Sequence, residues 1–163
     1  MSSKQKTILR SAGMVGDEDP AKLWGMPSYL INRIAHRYNQ NVYGQLKALG
    51  LTTLNSRIIV VLKLYGEQTV NELCIHAVAE QPAMSRALDR LEEGGYVSRI
   101  VSEADNRVRV VRLLPKGEQL YEQIYPVMQK GNEDLLSALS DDQQEQLMEL
   151  LAGMLKSIRR NPV

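Results

Sequence analysis

The sequence predicts a mostly α-helical fold with a small antiparallel β-hairpin wing, that is, a winged helix-turn-helix joined to a helical dimerisation region. Apolar residues recur at helical spacing in six segments of the 163-residue chain. Two stretches rich in β-branched residues, 96–101 and 108–114, follow the fourth segment and predict two strands. A short helix, a tight turn, an amphipathic helix and a hairpin, in this order, indicate a winged helix-turn-helix.

Capping and terminating residues locate the first three helices. Apolar side chains at helical spacing predict a first helix over about 28–48, which Gly50 ends. Thr52 or Thr53 can cap the second helix, and Thr69 can cap a short third one. These three helices lead into the fourth without a long loop.

The fourth helix is amphipathic. It is predicted to begin near Pro82, a residue type suited to a first turn, and to finish at Gly94. Four apolar residues share its inner face: Met84, Ala87, Leu88 and Leu91. Five polar or charged residues share its outer face: Ser85, Arg86, Asp89, Arg90 and Glu93.

The hairpin and the helices after it follow from turn residues. The loop between the two predicted strands contains no glycine, so a wing longer than a two-residue turn is expected. Pro115 begins a long helix that Pro126 is expected to kink. Ser140 or Asp141 can cap a last helix.

Composition and charge narrow the class of protein. The single cysteine, Cys74, excludes an internal disulfide and fits a reducing compartment. The N-terminus lacks an apolar secretory signal, and the longest apolar run, residues 58–62, is too short to cross a membrane. The net charge is only +1, but residues 98–117 hold five basic residues against two acidic ones. We expect a cytoplasmic protein, not bound to a membrane, with its positive charge at the wing.

The sequence gives little support for catalysis. It has no glycine-rich phosphate loop and no Gly-x-Ser-x-Gly motif. Cys74 and His76 are two residues apart on a predicted helix and face different directions. Glu72 and His76 lie one turn apart, but two ligands are too few for a zinc site. We predict no enzyme activity, no metal and no cofactor.

The outer face of the fourth helix predicts contact with double-stranded DNA. Arg86 and Arg90 lie one turn apart, and arginine forms paired hydrogen bonds with guanine edges or phosphates. Pro82, Ser85 and Asp89 complete this candidate major-groove surface. A solvated face with an Arg–Asp helix pair is the alternative, and the basic hairpin that follows favours DNA.

The loop Asp105-Asn106-Arg107 is the second candidate contact. An arginine at a loop tip fits the narrow, electronegative minor groove, and Asp105 can hold its guanidinium extended. The alternative is a polar turn with a surface ion pair worth about 0–1 kcal/mol. The position of the loop after a helix-turn-helix favours the minor-groove contact.

These motifs together resemble the MarR family of bacterial transcription regulators. The matching residues are Gly50-Leu51-Thr52, Ser85-Arg86-x-Leu88-Asp89-Arg90-Leu91-Glu92-x-Gly94-Gly95, Asp105-x-Arg107 and Leu113-x-x-x-Gly117. The resemblance implies a homodimer on a palindromic operator, released by a small phenolic or carboxylate ligand or by oxidation. Two positions depart from the family. Asn106 stands where a second arginine is common, and Leu114 stands where a capping threonine is usual.

The helices outside the helix-turn-helix predict a dimer independently. Six apolar residues between Leu147 and Ile158 form a stripe wider than one neighbouring helix needs, although packing on the first helix within one chain is an alternative. A two-fold axis would place two recognition helices about 34–36 Å apart. The predicted organisation is an N-terminal arm at 1–26, a helical dimerisation region at 27–48 and 115–163, and the winged helix-turn-helix at 49–114.

A small-molecule effector is expected as the regulatory input. Redox sensing in the family uses a cysteine near the start of the first helix, and this chain has none there. The candidate ligand-binding residues carry a positive charge or an aromatic ring: Trp24, Arg33, His36, Arg37 and Tyr38. Arginine or histidine would hold a carboxylate and the aromatic side chains would cover a ring, with packing or dimer contact as the alternative for each.

The sequence thus predicts a dimeric, sequence-specific DNA-binding transcription regulator, a repressor released by a small aromatic or carboxylate ligand. The alternative is a winged-helix protein-interaction module without specific DNA binding. The two differ in the salt dependence of duplex binding, because phosphate contacts make affinity fall as salt rises.

Overall fold

The computed structural model describes Leu23, residues 25–102 and residues 107–158. It divides the chain into two compact units, Met1–Asn41 and Val42–Val163. The elements in chain order are α1 Pro27–Leu46, α2 Thr53–Tyr65, β1 Gln68–Thr69, α3 Val70–Ala77, α4 Gln81–Glu93, β2 Val97–Val101, β3 Arg109–Leu113, α5 Pro115–Leu136 and α6 Asp141–Ile158. A 3-10 turn, Lys47–Leu49, follows α1. The predicted fold class, mostly helical with a small antiparallel sheet, is confirmed.

The two parts of α1 differ in burial. In the first unit, the predicted apolar positions Ile31 and Ile34 are exposed. In the second unit, Val42 and Leu46 at the end of α1 are buried core residues. Gly50 then adopts a left-handed conformation, with φ of 72°, and ends the 3-10 turn as predicted.

Side-chain caps begin α2 and α3 at the predicted threonines. The Asn55 N–H donates to the Thr52 hydroxyl over 3.1 Å. Thr69 forms a capping box with Glu72: the Glu72 N–H donates to the Thr69 hydroxyl, and the Thr69 N–H donates to the Glu72 carboxylate over 2.7 Å. The hydrogen bonds from the Thr69 backbone and then from its hydroxyl lower the pKa of Glu72. Both helix starts are therefore fixed by local sequence.

The sheet has three strands in the order β1-β3-β2, all antiparallel. β2 and β3 form the predicted hairpin, with Val97 opposite Leu113 and Val101 opposite Arg109. β1 pairs Thr69 with Val110 and was not predicted, because two residues are too few to show an alternating pattern.

The start of α5 lies close to the hairpin. Leu114 occupies the N-cap position and makes no side-chain capping bond, as expected from the missing threonine. A Cβ atom on Gly117 would collide with the Tyr96 carbonyl oxygen and lie 2.5 Å from Leu113 Cδ1. The Leu114 N–H also donates to the Tyr96 carbonyl over 2.9 Å. Only a glycine permits this approach of helix to sheet.

The last two helices begin at the predicted residues, Pro115 and Asp141. α5 remains one continuous helix through Pro126. The Gln143 N–H donates to the Ser140 hydroxyl at the start of α6, and the Ser140 N–H donates to the Gln143 side chain over 2.9 Å. Among the described residues, no single helix is long and apolar enough to cross a membrane. One bent helix pair, Pro27–Leu49 with Thr53–Tyr65, meets that requirement by length and composition only.

Candidate nucleic-acid interface

Helix α4 presents one polar face to solvent and buries the other. Its four predicted inner residues are all in the core, with Met84 and Leu88 completely buried. The five predicted outer residues are all exposed: Ser85, Arg86, Asp89, Arg90 and Glu93. Because the buried face packs on α2, α3 and β2, the outer face has a fixed direction.

A tight turn between α3 and α4 brings the first turn of α4 to the surface. Val78 caps α3 in the left-handed conformation, with φ of 55° and ψ of 64°. Pro82 lies exposed in the first turn of α4, and Glu80 at the N-cap makes no side-chain capping bond. The turn therefore exposes Pro82 together with the outer face of α4.

The carboxylates of α4 are held by Arg99 of β2. Arg99 Nη2 donates to Asp89 Oδ1 over 2.6 Å, and Arg99 Nη1 donates to Glu92 Oε2 over 2.7 Å. The Arg99 backbone N–H donates to Glu92 Oε1 over 2.8 Å, and its guanidinium also reaches the Ser85 carbonyl at 3.4 Å. Burial lowers the pKa of Arg99, but the Asp89 hydrogen bond and the Glu92 charge outweigh it and raise the pKa overall. Arg99 therefore stays charged, and Asp89 pairs with the strand rather than with an arginine of its own helix.

Two further basic residues near the wing also have intramolecular partners. Arg112 of β3 pairs with Glu67 at 2.6 Å. Lys116 donates to the Gly94 carbonyl over 2.7 Å, and its ammonium lies 4.6 Å from the centre of the Tyr96 ring. Much of the positive charge counted in residues 98–117 is thus used within the protein.

Three arginines contrast with this pattern. Arg86 and Arg90 on α4 and Arg109 on β3 are exposed, and within the described part of the chain they form no ion pair. Arg107 is also exposed, in the turn that leads into β3. Its two predicted companions, Asp105 and Asn106, lie outside the described residues. The arginines of α4 are therefore available to an external anion.

The predicted ligand-binding residues of α1 lie in the first unit. Arg33, His36 and Arg37 are exposed, and Tyr38 is half-buried. Arg33 Nη1 donates to the Tyr29 hydroxyl over 3.4 Å, and its guanidinium carbon lies 5.8 Å from the Tyr29 ring centre. Trp24 lies outside the described residues. This contact joins two residues one turn apart on α1.

A groove lies elsewhere, in the second unit. It encloses about 400 Å³ between α2, α5 and α6. Its lining is largely apolar, and its one charged residue is acidic: Val60, Leu64, Tyr125, Met128, Gln129, Asn132, Glu133, Leu136 and Gln144. Sequence periodicity did not predict this groove, because its residues come from three separate helices.

Glu72, Cys74 and His76 form no metal site. In the ranges that the structure describes, no three metal-ligating side chains come together. His76 stacks on Tyr65, with ring centres 4.9 Å apart. Burial, followed by the charge of Glu80, raises the pKa of the Cys74 thiol.

A helix-turn-helix with exposed arginines, followed by an antiparallel hairpin, defines a winged helix-turn-helix DNA-binding transcription regulator. The MarR family model matches residues 49–107. A crystal structure of a MarR family transcriptional regulator from Silicibacter pomeroyi is 33% identical, with a TM-score of 0.78, over 88% of this chain and 97% of that one. The chain belongs to the MarR family. Members of this family are transcription regulators rather than enzymes, in agreement with the sequence.

Two further relatives extend the comparison. The HTH-type transcriptional repressor IacR of Pseudomonas putida is 28% identical over 157 residues, which cover 93% of this chain and 94% of the repressor. A mutant MarR from E. coli, solved in complex with operator DNA, is 25% identical with a TM-score of 0.69. That match covers 78% of this chain and 92% of the E. coli protein.

Proposed function

We propose that this chain represses transcription as a homodimer that binds a palindromic operator through α4 and the wing. The observation that carries the proposal is the pair Arg86 and Arg90, exposed one turn apart on the outer face of α4. No described carboxylate neutralises them, because Asp89 and Glu92 are already paired with Arg99. Guanidinium groups in this position can bond guanine edges or phosphates in the major groove.

The wing supplies the second contact. Arg107 would enter the minor groove, where the negative potential is strongest over narrow A·T-rich segments. Asp105 and Asn106 are proposed to shape the loop tip around it. Arg109 is exposed on β3, two residues after Arg107. The wing would therefore add DNA contacts to the base contacts made by α4.

A second copy of the chain is proposed to cover the exposed face of α6. Six apolar side chains on this helix are 39–74% exposed: Met148, Leu150, Leu151, Met154, Leu155 and Ile158. A contiguous apolar patch on this scale marks an interaction surface. A two-fold axis gives each protomer the same patch and pairs two copies of α4 for two half-sites. We assign residues 27–48 and 115–163 to dimerisation and 49–114 to DNA binding.

The proposal also states that the protein represses transcription and that a small ligand releases it from DNA. Repression is supported by the P. putida relative, which is a repressor. We propose that an aromatic or carboxylate ligand binds at Arg33, His36, Arg37 and Tyr38, with Trp24 beside them, and releases the operator. Arg33 is supported by its position over the Tyr29 ring, since together they offer a cation and an aromatic surface.

Selection of duplexes from a random library against the purified protein tests the function. The expected product is a palindromic site whose affinity falls steeply as salt rises. Arg86→Ala, Arg90→Ala and Arg107→Ala should each weaken binding about tenfold and lower the logarithmic salt slope by about 1.8, if each residue contacts one phosphate in each of the two protomers. Lys130→Ala is the charge-matched control, because Lys130 pairs with Asp134 on α5 and should leave binding unchanged.

The alternative class gives a different result. A winged-helix module that binds another protein would select no palindrome and would show no salt slope on duplex DNA. Either result with a folded protein would contradict the proposed function.

A further inference from the structure

The side chain of Arg99 links two DNA-facing elements, α4 and the base of the hairpin. It starts on β2 and ends between two carboxylates of α4, Asp89 at 2.6 Å and Glu92 at 2.7 Å. Glu92 is also held by the Arg99 backbone N–H, so the pairing fixes both the side chain and the strand. The Arg99 side chain is only 29% exposed, whereas that of Asp89 is 54% exposed.

The carboxylates would oppose DNA binding if Arg99 were absent. Asp89 lies on the same outer face as Arg86 and Arg90, and this face would meet a polyanion. Like charges facing each other across an interface reduce affinity. Among the described cations, Arg99 is the partner of both Asp89 and Glu92. The positive charge of Arg99 therefore pairs with carboxylates of the protein itself.

We propose that Arg99 is a positioning residue for operator binding: it holds α4 against β2 and compensates one of the two negative charges of Asp89 and Glu92, without touching DNA itself. This inference rests on the proposed function. It also gives Asp89 a different role, because a carboxylate bound to Arg99 anchors the recognition helix instead of reading a base. The wing and α4 then meet the duplex in a fixed relation.

The test compares Arg99→Gln with the triple variant Asp89→Asn/Glu92→Gln/Arg99→Gln on the selected operator. Arg99→Gln should weaken binding about tenfold, because the net charge of the cluster beside the DNA-facing surface then changes from −1 to −2. The triple variant should regain a large part of that loss, since it removes the same two charges. An affinity for the triple variant no higher than that of Arg99→Gln would overturn the proposed charge compensation.

The salt slope separates positioning from direct contact. Arg99→Gln should leave the slope unchanged, because the slope counts phosphates contacted, whereas Arg86→Ala should lower it by about 1.8 for the two protomers together. A slope lowered by about 1.8 in Arg99→Gln would mean that Arg99 of each protomer binds a phosphate, and the inference would be wrong. Arg112→Gln is the matched control, since it breaks an arginine–glutamate pair of the same sheet and should leave operator affinity unchanged.

Two measurements keep the outcomes distinct. Wild-type protein that fails to bind any selected duplex contradicts the proposed function, whereas wild-type and Arg99→Gln proteins that bind equally contradict only this inference. If Arg99→Gln does not fold, Arg99→Lys replaces it. Lysine retains the charge but lacks the planar fork that spans two carboxylates, so a smaller loss of affinity than tenfold is expected. Undiminished operator binding by Arg99→Lys would overturn the positioning role.

Discussion

A strained valine closes the turn of the helix-turn-helix. Val78 has a left-handed backbone with φ of 55°, and its side chain is 77% exposed. This conformation costs roughly 1–2 kcal/mol in residues that carry a Cβ, and β-branched residues suit it least. The chain accepts it because the Val78 N–H bonds back to α3 and the turn must be short. Strain is therefore stored beside the DNA-facing helix.

Replacing Val78 with asparagine should stabilise the protein. Asparagine adopts the left-handed conformation more readily, and the exposed valine gives up little apolar burial. A gain of about 1 kcal/mol would raise the melting temperature by about 2–4 °C for a chain of this size. Thermal unfolding followed by circular dichroism measures it.

Val101→Asn is the matched control for this substitution. Val101 is also an exposed valine, at 47%, but it lies in strand β2. Asparagine has a low strand propensity, so this variant should be slightly destabilised. A melting temperature that changes equally in both variants would show that backbone strain at Val78 is not the cause.

At the scale of elements, local signals made most of the helices predictable from sequence. Thr52, Thr69 and Gly50 determine helix ends through bonds within a few residues, so their roles can be read without a structure. β1 could not be predicted, because its two residues are strand only through pairing with β3 about forty residues later. The partners of Arg99 were missed for a related reason: they meet only after β2 folds back on α4.

The capping box of α3 gives a pH-dependent prediction. Thr69→Ala should lower the free energy of unfolding by about 1 kcal/mol at pH 7, because the Glu72 N–H loses its acceptor. The folded-state pKa of Glu72 is lowered, so its stabilisation is present above the unfolded-state value and is lost as pH falls through the folded-state value. The difference in free energy of unfolding between Thr69→Ala and wild type should therefore become smaller as the pH falls below about 4.5. Urea unfolding at several pH values measures it.

Glu72→Gln is the control for the titration. Glutamine can accept the Thr69 N–H through its side-chain oxygen but carries no titrating carboxylate. The difference in free energy of unfolding between Glu72→Gln and the double variant Thr69→Ala/Glu72→Gln should stay nearly constant as the pH falls. If this difference became smaller by as much as the difference between Thr69→Ala and wild type does, a group other than Glu72 would cause the pH dependence.

At the scale of the whole molecule, internal pairing reduces the charge available to DNA. Arg99, Arg112 and Lys116 belong to the basic segment found in the sequence, yet each has a partner within the chain. The net charge of +1 therefore indicates a modest electrostatic attraction between one copy of the chain and DNA. Under the proposed function, two protomers on one operator would double the number of arginine contacts, so that dimerisation would be central to affinity.

A charge on the apolar face of α6 should separate the protomers. Leu155 is 56% exposed, so Leu155→Glu should leave the fold of the single chain intact while placing a carboxylate in the proposed interface. The expected result is a monomer by sedimentation, with affinity for the palindromic operator reduced at least tenfold because the two half-sites are no longer bound together.

Glu149→Lys tests whether any change of charge on α6 has this effect. Glu149 lies on the polar side of the same helix, away from the apolar stripe. This variant should sediment as wild type does. A Leu155→Glu protein that keeps the wild-type mass in solution would contradict the proposed interface.

The missing side chain of Gly117 has a mechanical consequence. The first turn of α5 lies against the backbone of Tyr96 with no side chain between them, and Leu114 is bonded to the same carbonyl. Tightly packed groups of this kind move together rather than slide. We expect any tilt of α5 to carry the base of the hairpin with it. The joint at Gly117 would then act as a stiff lever between the long helix and the loop that carries Arg107.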